Sequence, residues 1–469
     1  MLDKYKSVGP IDGRYHKYTF HISDYLSEYK IMSNRILVEV RWLQYLVRLG
    51  ITPVKSLSQE SIDFLESLRF ISEEELQKIF ELDTKMMHDV KAVEYYIRKR
   101  FEVDGTPELK KLITWVHVFC TSEDINSPSY SMGIRDCMNF VMKPLMLEII
   151  SSLCKLALEN AKMPMLSRTH GQPAIPTTFG KEVSTFVYRL SYQYKKCISN
   201  IDYFAKFGGA VGNYNAHYYA FPDLDWTGHV KNFIEELGLK YQPYTTQIEC
   251  HDFISELSDS ICRFNTILKN MCLDFWLYNS KGLLRLKNVK GEVGSSTMPH
   301  KINPIDLENA EGNLGLSNSM FHFFSTKLPM SRMQRDLSDS SVLRNLGVAF
   351  AHSVIAYNSI LFSLERLYFD ESTSKLEIQE NWNILSEPLQ LNLKMMGHLD
   401  AFEKVLKFTR GFNPSKDEMQ TFIEKNCGKD SRLLTLKLEE YLGLAEKLAK
   451  NVVNYLPKEL SSKFVNVPP

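Results

Sequence analysis

Apolar residues recur along the chain at intervals of three and four rather than two. Ile36, Val40, Leu43 and Val47 follow that spacing in one segment, and Ile254, Leu257, Ile261, Phe264, Ile267 and Met271 in another. Each set places its side chains on one face of a helix. Residues 252–286 contain no proline and only one glycine, Gly282, which predicts a helix well beyond the usual globular length, as in helical bundles. Strand-like alternation is nearly absent. Proline and glycine cluster in 7–13, 163–180, 208–225 and 291–304, and these segments read as loops between helical blocks. The pattern predicts an all-α fold with soft boundaries near residues 111 and 366. Three helical domains are expected: 1–111, a long central bundle over 112–365, and 366–469. No repeat of solenoid length is apparent.

The segment 345–364 carries no charge over 20 positions, long enough to cross a membrane. Asn345, His352, Ser353, Asn358, Ser359 and Ser363 interrupt it, a mixture that suits a buried bundle helix better than lipid. The 469 residues hold 56 Lys and Arg against 56 Asp and Glu, so the basic footprint of a nucleic-acid partner is missing. Hydrophobic residues at 44% and aromatic residues at 12% are those of a folded chain rather than a disordered one. The eight cysteines form no C-x-x-C pair and no zinc-type spacing, which fits reduced thiols in the cytoplasm. Asp3, Lys4, Lys6 and Asp12 occupy the first residues with no apolar run among them, so no signal peptide is expected there. A soluble cytoplasmic protein without nucleic-acid or membrane partners follows.

Two loops invite a chemical reading. The run Gly208, Gly209, Ala210, Val211, Gly212 lacks both a preceding strand and the Gly-Lys-Ser/Thr ending of a phosphate loop, and is better explained by close backbone approach. The segment from Gly291 through Gly294, Ser295, Ser296, Lys301, Asn303 and Pro304 differs. Its glycines give mobility, adjacent hydroxyls stand near a lysine, and Asn303-Pro304 is expected to cap a helix with Asp306 in its first turn. A polar loop feeding a helix N-terminus can bind an anion, and can equally be a capped surface loop.

The string Gly294-Ser-Ser-Thr-Met-Pro-His-Lys-Ile-Asn-Pro304 resembles the signature of the fumarase/aspartase superfamily, whose members release fumarate from succinyl compounds. Further segments narrow the resemblance: 88–94 (His-Asp-Val-Lys-Ala-Val-Glu), 121–126 (Thr-Ser-Glu-Asp-Ile-Asn) and 167–173 (Ser-Arg-Thr-His-Gly-Gln-Pro). With 10–15 (Pro-Ile-Asp-Gly-Arg-Tyr) and 245–249 (Thr-Thr-Gln-Ile-Glu), they are similar to the adenylosuccinate lyases, in the long bacterial-type form, from about residue 9 to 350.

The resemblance implies an elimination that needs a base, an acid and an anion clamp. It makes Ser295 the base that removes the Cβ proton, with Lys301 favouring its alkoxide, and His170 the acid that protonates the departing purine nitrogen. His88 with Asp89 is expected to orient substrate or tune His170, a direct acid role for His88 being the lesser reading. Thr121, Ser122, Gln247, Lys301, Asn303 and Asn309 are expected to hold the succinyl carboxylates, helix capping being the plain alternative for Thr121 and Asn303. Arg14, Tyr15, Arg335, Ser340, Ser341 and Arg344 would clamp the nucleotide phosphate. Asp336 and Asp339 could instead pair such arginines, and Arg332 stays open.

The implied substrate is a succinyl-purine nucleotide, the implied assembly a homotetramer with shared active sites, and no metal or organic cofactor is implied. Two other functions compete. Argininosuccinate lyase, fumarase or aspartase would share the Ser295 loop without needing a phosphate clamp. A non-catalytic helical scaffold of the same fold would need neither Ser295, Lys301 nor His170.

Overall fold

The structure is a computed structural model that describes residues 6–291, 293–294 and 296–464. It is 66% helical, and its strands form three two-stranded sheets among the described residues. The chain divides into two compact units. One comprises the chain up to Leu145 with Lys196–Asn265 and Asn313–Ile355, the other Met146–Lys195, Thr266–Gly312 and the chain from Ala356 onward.

In the first unit the helix Glu28–Arg48 starts where the Ser27 hydroxyl accepts the Lys30 N–H at 3.2 Å. Glu28 in its first turn and Arg48 in its last agree with the helix dipole. The expected stripe Ile36, Val40, Leu43 and Val47 packs with Ala92, Val93, Ile97 and Phe101 of the helix Asp89–Val103 in one apolar core. Trp42, on another face, lies against Phe207 and Phe233 at ring separations of 4.6 and 5.0 Å, and its indole N–H reaches the Val118 carbonyl at 2.9 Å. The helix is therefore buried on more than one side.

The uncharged segment forms the helix Leu346–Arg366. By length and composition Ser338–Arg366 could cross a membrane, yet 67% of its most apolar stretch is buried inside the protein. Its polar residues find internal partners: Ser353 lies 2.7 Å from the Ser317 hydroxyl and 3.0 Å from the Asn265 amide, and His352 is 2.9 Å from Asn313. Core polarity of this kind is tolerated because it is hydrogen-bonded.

Several expectations about the elements change, and the segment 208–225, expected as a loop, holds the short helix Asn215–Ala220. The long helix runs Asp252–Ser280, 29 residues, and ends before 286, because Gly282 turns the chain at φ +75° and Leu284–Leu286 pairs antiparallel with Leu367–Phe369. The proline-rich segment 163–180 is not a loop but a hairpin of Pro164–Thr169 and Gln172–Thr178. A two-stranded sheet leaves outward N–H positions unpaired, so Pro173 and Pro176 cost no ladder bond, and a register shift between Leu166 and Arg168 absorbs the irregularity.

Behind this hairpin, in the second unit, Gly180 packs so closely that a Cβ there would meet the Ala157 carbonyl oxygen at 2.3 Å and the Ala161 nitrogen at 2.6 Å. Both are backbone atoms that cannot swing aside. Gly180→Ala is expected to cost roughly 1–3 kcal/mol by overpacking and to lower the thermal midpoint by several degrees. An unchanged melting curve would refute that close approach.

Candidate active site

The first unit brings four of the singled-out segments together. His88 caps the helix Asp89–Val103, its Nδ1 accepting the Lys91 N–H at 3.0 Å. In the neutral ring the proton then sits on Nε2, which faces the Ser122 hydroxyl at 3.4 Å. Asp89 pairs with Arg35 at 2.8 Å and with Arg344 at 3.0 Å. Burial opposes its ionisation, but Arg35, the Val90 N–H and Arg344 outweigh burial and hold the carboxyl below its usual range.

Thr121 is the N-cap residue of the helix Ser122–Cys137, and its N–H donates to Asp124 Oδ2 at 2.8 Å. Thr121 thus holds the N-cap position through its backbone, with its side chain and that of Ser122 at the helix entrance. The next residue, Glu123, pairs with Arg335 at 3.0 Å and accepts the Asn126 amide at 2.8 Å. Arg335 also donates to the Gln247 side-chain oxygen at 3.3 Å, and Arg344 pairs with Glu28 at 2.6 Å.

Each arginine thus engages two of its five N–H donors in these internal contacts. Arg344 and Glu28 line a cavity of about 270 Å³ together with Ile11, Asp12, His16 and Thr19. Arg14 is exposed just ahead of the helix His16–Leu26, and Tyr15 N–H donates to the Pro10 carbonyl at 2.9 Å. Ser340 and Ser341 lie on the short helix Ser338–Leu343, half-buried and exposed respectively. Asp336 pairs with the exposed Arg332 at 3.6 Å, whereas Asp339 turns to a histidine.

That histidine, His251, is missing from the sequence-based expectations. Its ring lies 3.4 Å from Glu249 and 3.5 Å from Asp339, with all three side chains buried. It joins the segment bearing Gln247 to the helix bearing Ser340 and Ser341. Other residues found only in the fold are Arg35, Glu28, Asp124 and Lys206. Arg35 carries no distinguishing signal, since Glu39 and Arg41 are charged in the same stretch Met32 to Val47; only its burial shows that it needs a partner.

The second unit carries the other candidates. His170 and Gly171 have φ +53° and +76° as the two central residues between the paired Thr169 and Gln172, a primed turn matched to hairpin twist. His170 is presented, exposed, at the hairpin tip. Below it, Arg168 pairs with Glu377 and donates to the Gly171 carbonyl at 3.4 Å.

Lys301 and Asn303 border a cavity of about 250 Å³ with Asn288, Val293, Gly294 and His300. Ser295 lies outside the described residues. The expected cap is shifted by one residue. The helix Ile305–Lys327 takes its first bond at the Pro304 carbonyl, and the Asn303 amide instead donates to the Gly294 carbonyl at 2.9 Å, closing the loop. Asn309 donates to the Ser359 hydroxyl at 2.8 Å.

Among solved structures the fold is similar to the 3-carboxy-cis,cis-muconate lactonizing enzyme from Pseudomonas putida, with a TM-score of 0.77 and 18% identity over 96% of this chain and 99% of that one. The fumarate lyase from Mesorhizobium sp. BNC1 follows at a TM-score of 0.73 and 15% identity, over 92% and 97%. The likeness to both is one of fold, a predominantly helical architecture. Residues 9–316 match the family described as Lyase, and residues 331–442 the one described as Adenylosuccinate lyase C-terminal. The adenylosuccinate lyase of Legionella pneumophila (strain Corby) is 43% identical over 96% of this chain and 99% of its own length. That of Escherichia coli (strain K12) is 40% identical over 95% and 98%. The chain belongs to the adenylosuccinate lyase family.

The buried histidine supplies a stability test. Burial disfavours its charge, but the hydrogen bonds its ring donates to Asp339 and Glu249, and their negative charges, outweigh burial and raise its pKa from 6.5 to about 9. A group raised on folding stabilises fully below its unfolded pKa and ceases to do so as pH rises through the folded value. The stability lead of the wild type over His251→Phe should therefore be on the order of 3 kcal/mol at most near pH 6 and should shrink toward pH 10. Denaturant unfolding at both pH values checks this, and a constant difference would contradict a charged His251.

Proposed function

We propose that the chain catalyses β-elimination of fumarate from adenylosuccinate, giving AMP, and from succinyl-aminoimidazole-carboxamide ribotide, giving the carboxamide ribotide, in purine nucleotide biosynthesis. The observation that carries this is the 40–43% identity to adenylosuccinate lyases over nearly the whole chain. The convergence of His88, Ser122, Gln247, Arg335 and Arg344 in one unit supports it. Ser295 takes the Cβ proton, helped by the positive charge of Lys301. The electrons of that C–H bond form the fumarate double bond as the C–N bond breaks, and His170 gives a proton to the departing nitrogen. Charge accumulates on the carboxylate next to the carbanion, so donors fixed in advance lower the barrier most.

Thr121, Ser122, Gln247, Lys301, Asn303 and Asn309 serve the two carboxylates. Arg335, Arg344, Ser340 and Ser341, with Arg14 and Tyr15, serve the phosphate. His88 and Asp89 orient the substrate, Asp89 through its bond to Arg344. Incubation with the two succinyl-purine substrates should release fumarate from each, followed by purine absorbance. Turnover of argininosuccinate, aspartate or malate instead would overturn the assignment.

The reading extends to a cytoplasmic homotetramer with active sites shared between chains. Large apolar residues left exposed on long helices support it, Leu273, Trp276 and Leu277 on Asp252–Ser280 and Leu316 and Phe323 on Ile305–Lys327, because exposed apolar surface of this kind marks protein contacts. The division into domains 1–111, 112–365 and 366–469 draws support from two separate apolar cores, one within residues 32–116 and one within 378–438 joined by Leu166.

If His170 and Ser295 of one site come from different chains, His170→Ala and Ser295→Ala proteins should each be nearly inactive. Their mixture, after mild dissociation and reassociation, should regain roughly a quarter of wild-type activity. Hybrid tetramers no more active than the parents would mean that one chain supplies both residues.

A further inference from the structure

Lys206 and Asp124 form an ion pair at 2.8 Å with both side chains 0% exposed. The Lys206 ammonium also donates to the Gly209 carbonyl at 2.7 Å, and its backbone N–H to the Ser127 hydroxyl at 3.1 Å. Asp124 accepts the Gly209 N–H at 3.3 Å on one oxygen and the Thr121 N–H at 2.8 Å on the other. His217, packed beside the same turn, is kept neutral by burial, its pKa lowered to about 4. The pair therefore ties the entrance of the helix Ser122–Cys137 to the glycine turn 208–212.

The far end of that turn reaches the other carboxylate-binding candidate. Gly212 has φ +78°, and a Cβ there would lie 2.4 Å from the Thr245 carbonyl oxygen, so only glycine allows the two backbones to meet. Two residues on, the Gln247 amide donates to the Ala210 carbonyl at 3.0 Å. Thr121, Ser122 and Gln247 thus hang on one short splint whose inner anchor is a buried charge pair. Apolar residues in place of such a pair usually hold a fold equally well or better, so bulk stability does not account for it, whereas exact placement of three donors does.

We infer that Lys206 and Asp124 are positioning residues for the elimination, fixing through the 208–212 turn the groups that receive the succinyl carboxylates. The inference rests on the reading of Thr121, Ser122 and Gln247 given under Proposed function.

The two products separate a positioning role from a general one, since fumarate carries only carboxylates and AMP only the purine and phosphate. Inhibition of adenylosuccinate cleavage by each would be measured for the wild type, Lys206→Met and the double variant Lys206→Met/Asp124→Asn. All would be matched for oligomeric state and circular dichroism. The expected result is that fumarate inhibition weakens roughly tenfold or more, the worth of one well-placed charge-assisted hydrogen bond. AMP inhibition should stay within about twofold.

Equal weakening of both, or of neither, would overturn the inference. Should Lys206→Met fail to fold because Asp124 is left unpaired, the double variant, with no buried charge, carries the comparison. If the double variant also fails to fold, the pair is a requirement of the fold and the inference falls. A wild-type protein that does not cleave adenylosuccinate would strike the functional reading instead, before any variant is compared.

Discussion

One buried guanidinium organises the first unit. Arg35 projects from the helix Glu28–Arg48 into the protein interior, where its charge must be matched. It binds Asp89 at 2.8 Å and the Asn126 side chain at 2.8 Å, and so locks the helix that His88 caps to the helix that Thr121 caps. From these two partners the polar contacts continue outward. Asp89 leads to Arg344 and Glu28, and Asn126 leads through Glu123 to Arg335 and Gln247. Removing one partner of such a buried network leaves an uncompensated charge, the costly way to break it.

The same network leaves the candidate substrate residues preorganised. His88 has its Nδ1 occupied by the Lys91 N–H, which determines the neutral tautomer without any substrate present. The arginines are held by carboxylates yet only partly buried, with side-chain exposures of 20% for Arg335 and 39% for Arg344. Fixed donors spend little on reorganisation when charge develops in a reaction.

The second unit uses a different device for its own candidates. His170 is carried on the tip of a hairpin whose φ values favour glycine at both positions, and a histidine stands in one of them. Such a placement costs backbone energy of order 1 kcal/mol, and it makes an exposed imidazole project from a short, stiff support. The 288–305 loop is closed by the Asn303 amide on the Gly294 carbonyl, so that its glycines do not leave Lys301 on an untethered strand of chain.

Periodicity was enough for the helical class and for the core stripe Ile36 to Val47, and the polar interruptions of the uncharged run 345–364 for its burial, because each is a local property of the sequence. The helix start at Thr121 was legible too, since capping follows from neighbours in sequence, whereas the candidate site residues were legible only through the family resemblance. What needed tertiary structure were pairings across long separations. The hairpin at 164–178 was hidden because its prolines read as loop until one sees that neither blocks the ladder. The Asn303 cap moved by one residue because the amide prefers a carbonyl nine residues back. Arg35, Lys206 and His251 could not be matched to Asp89, Asp124 and Asp339 from sequence, for a buried charge announces that a partner exists but not which one, and only the packing of distant helices chooses it.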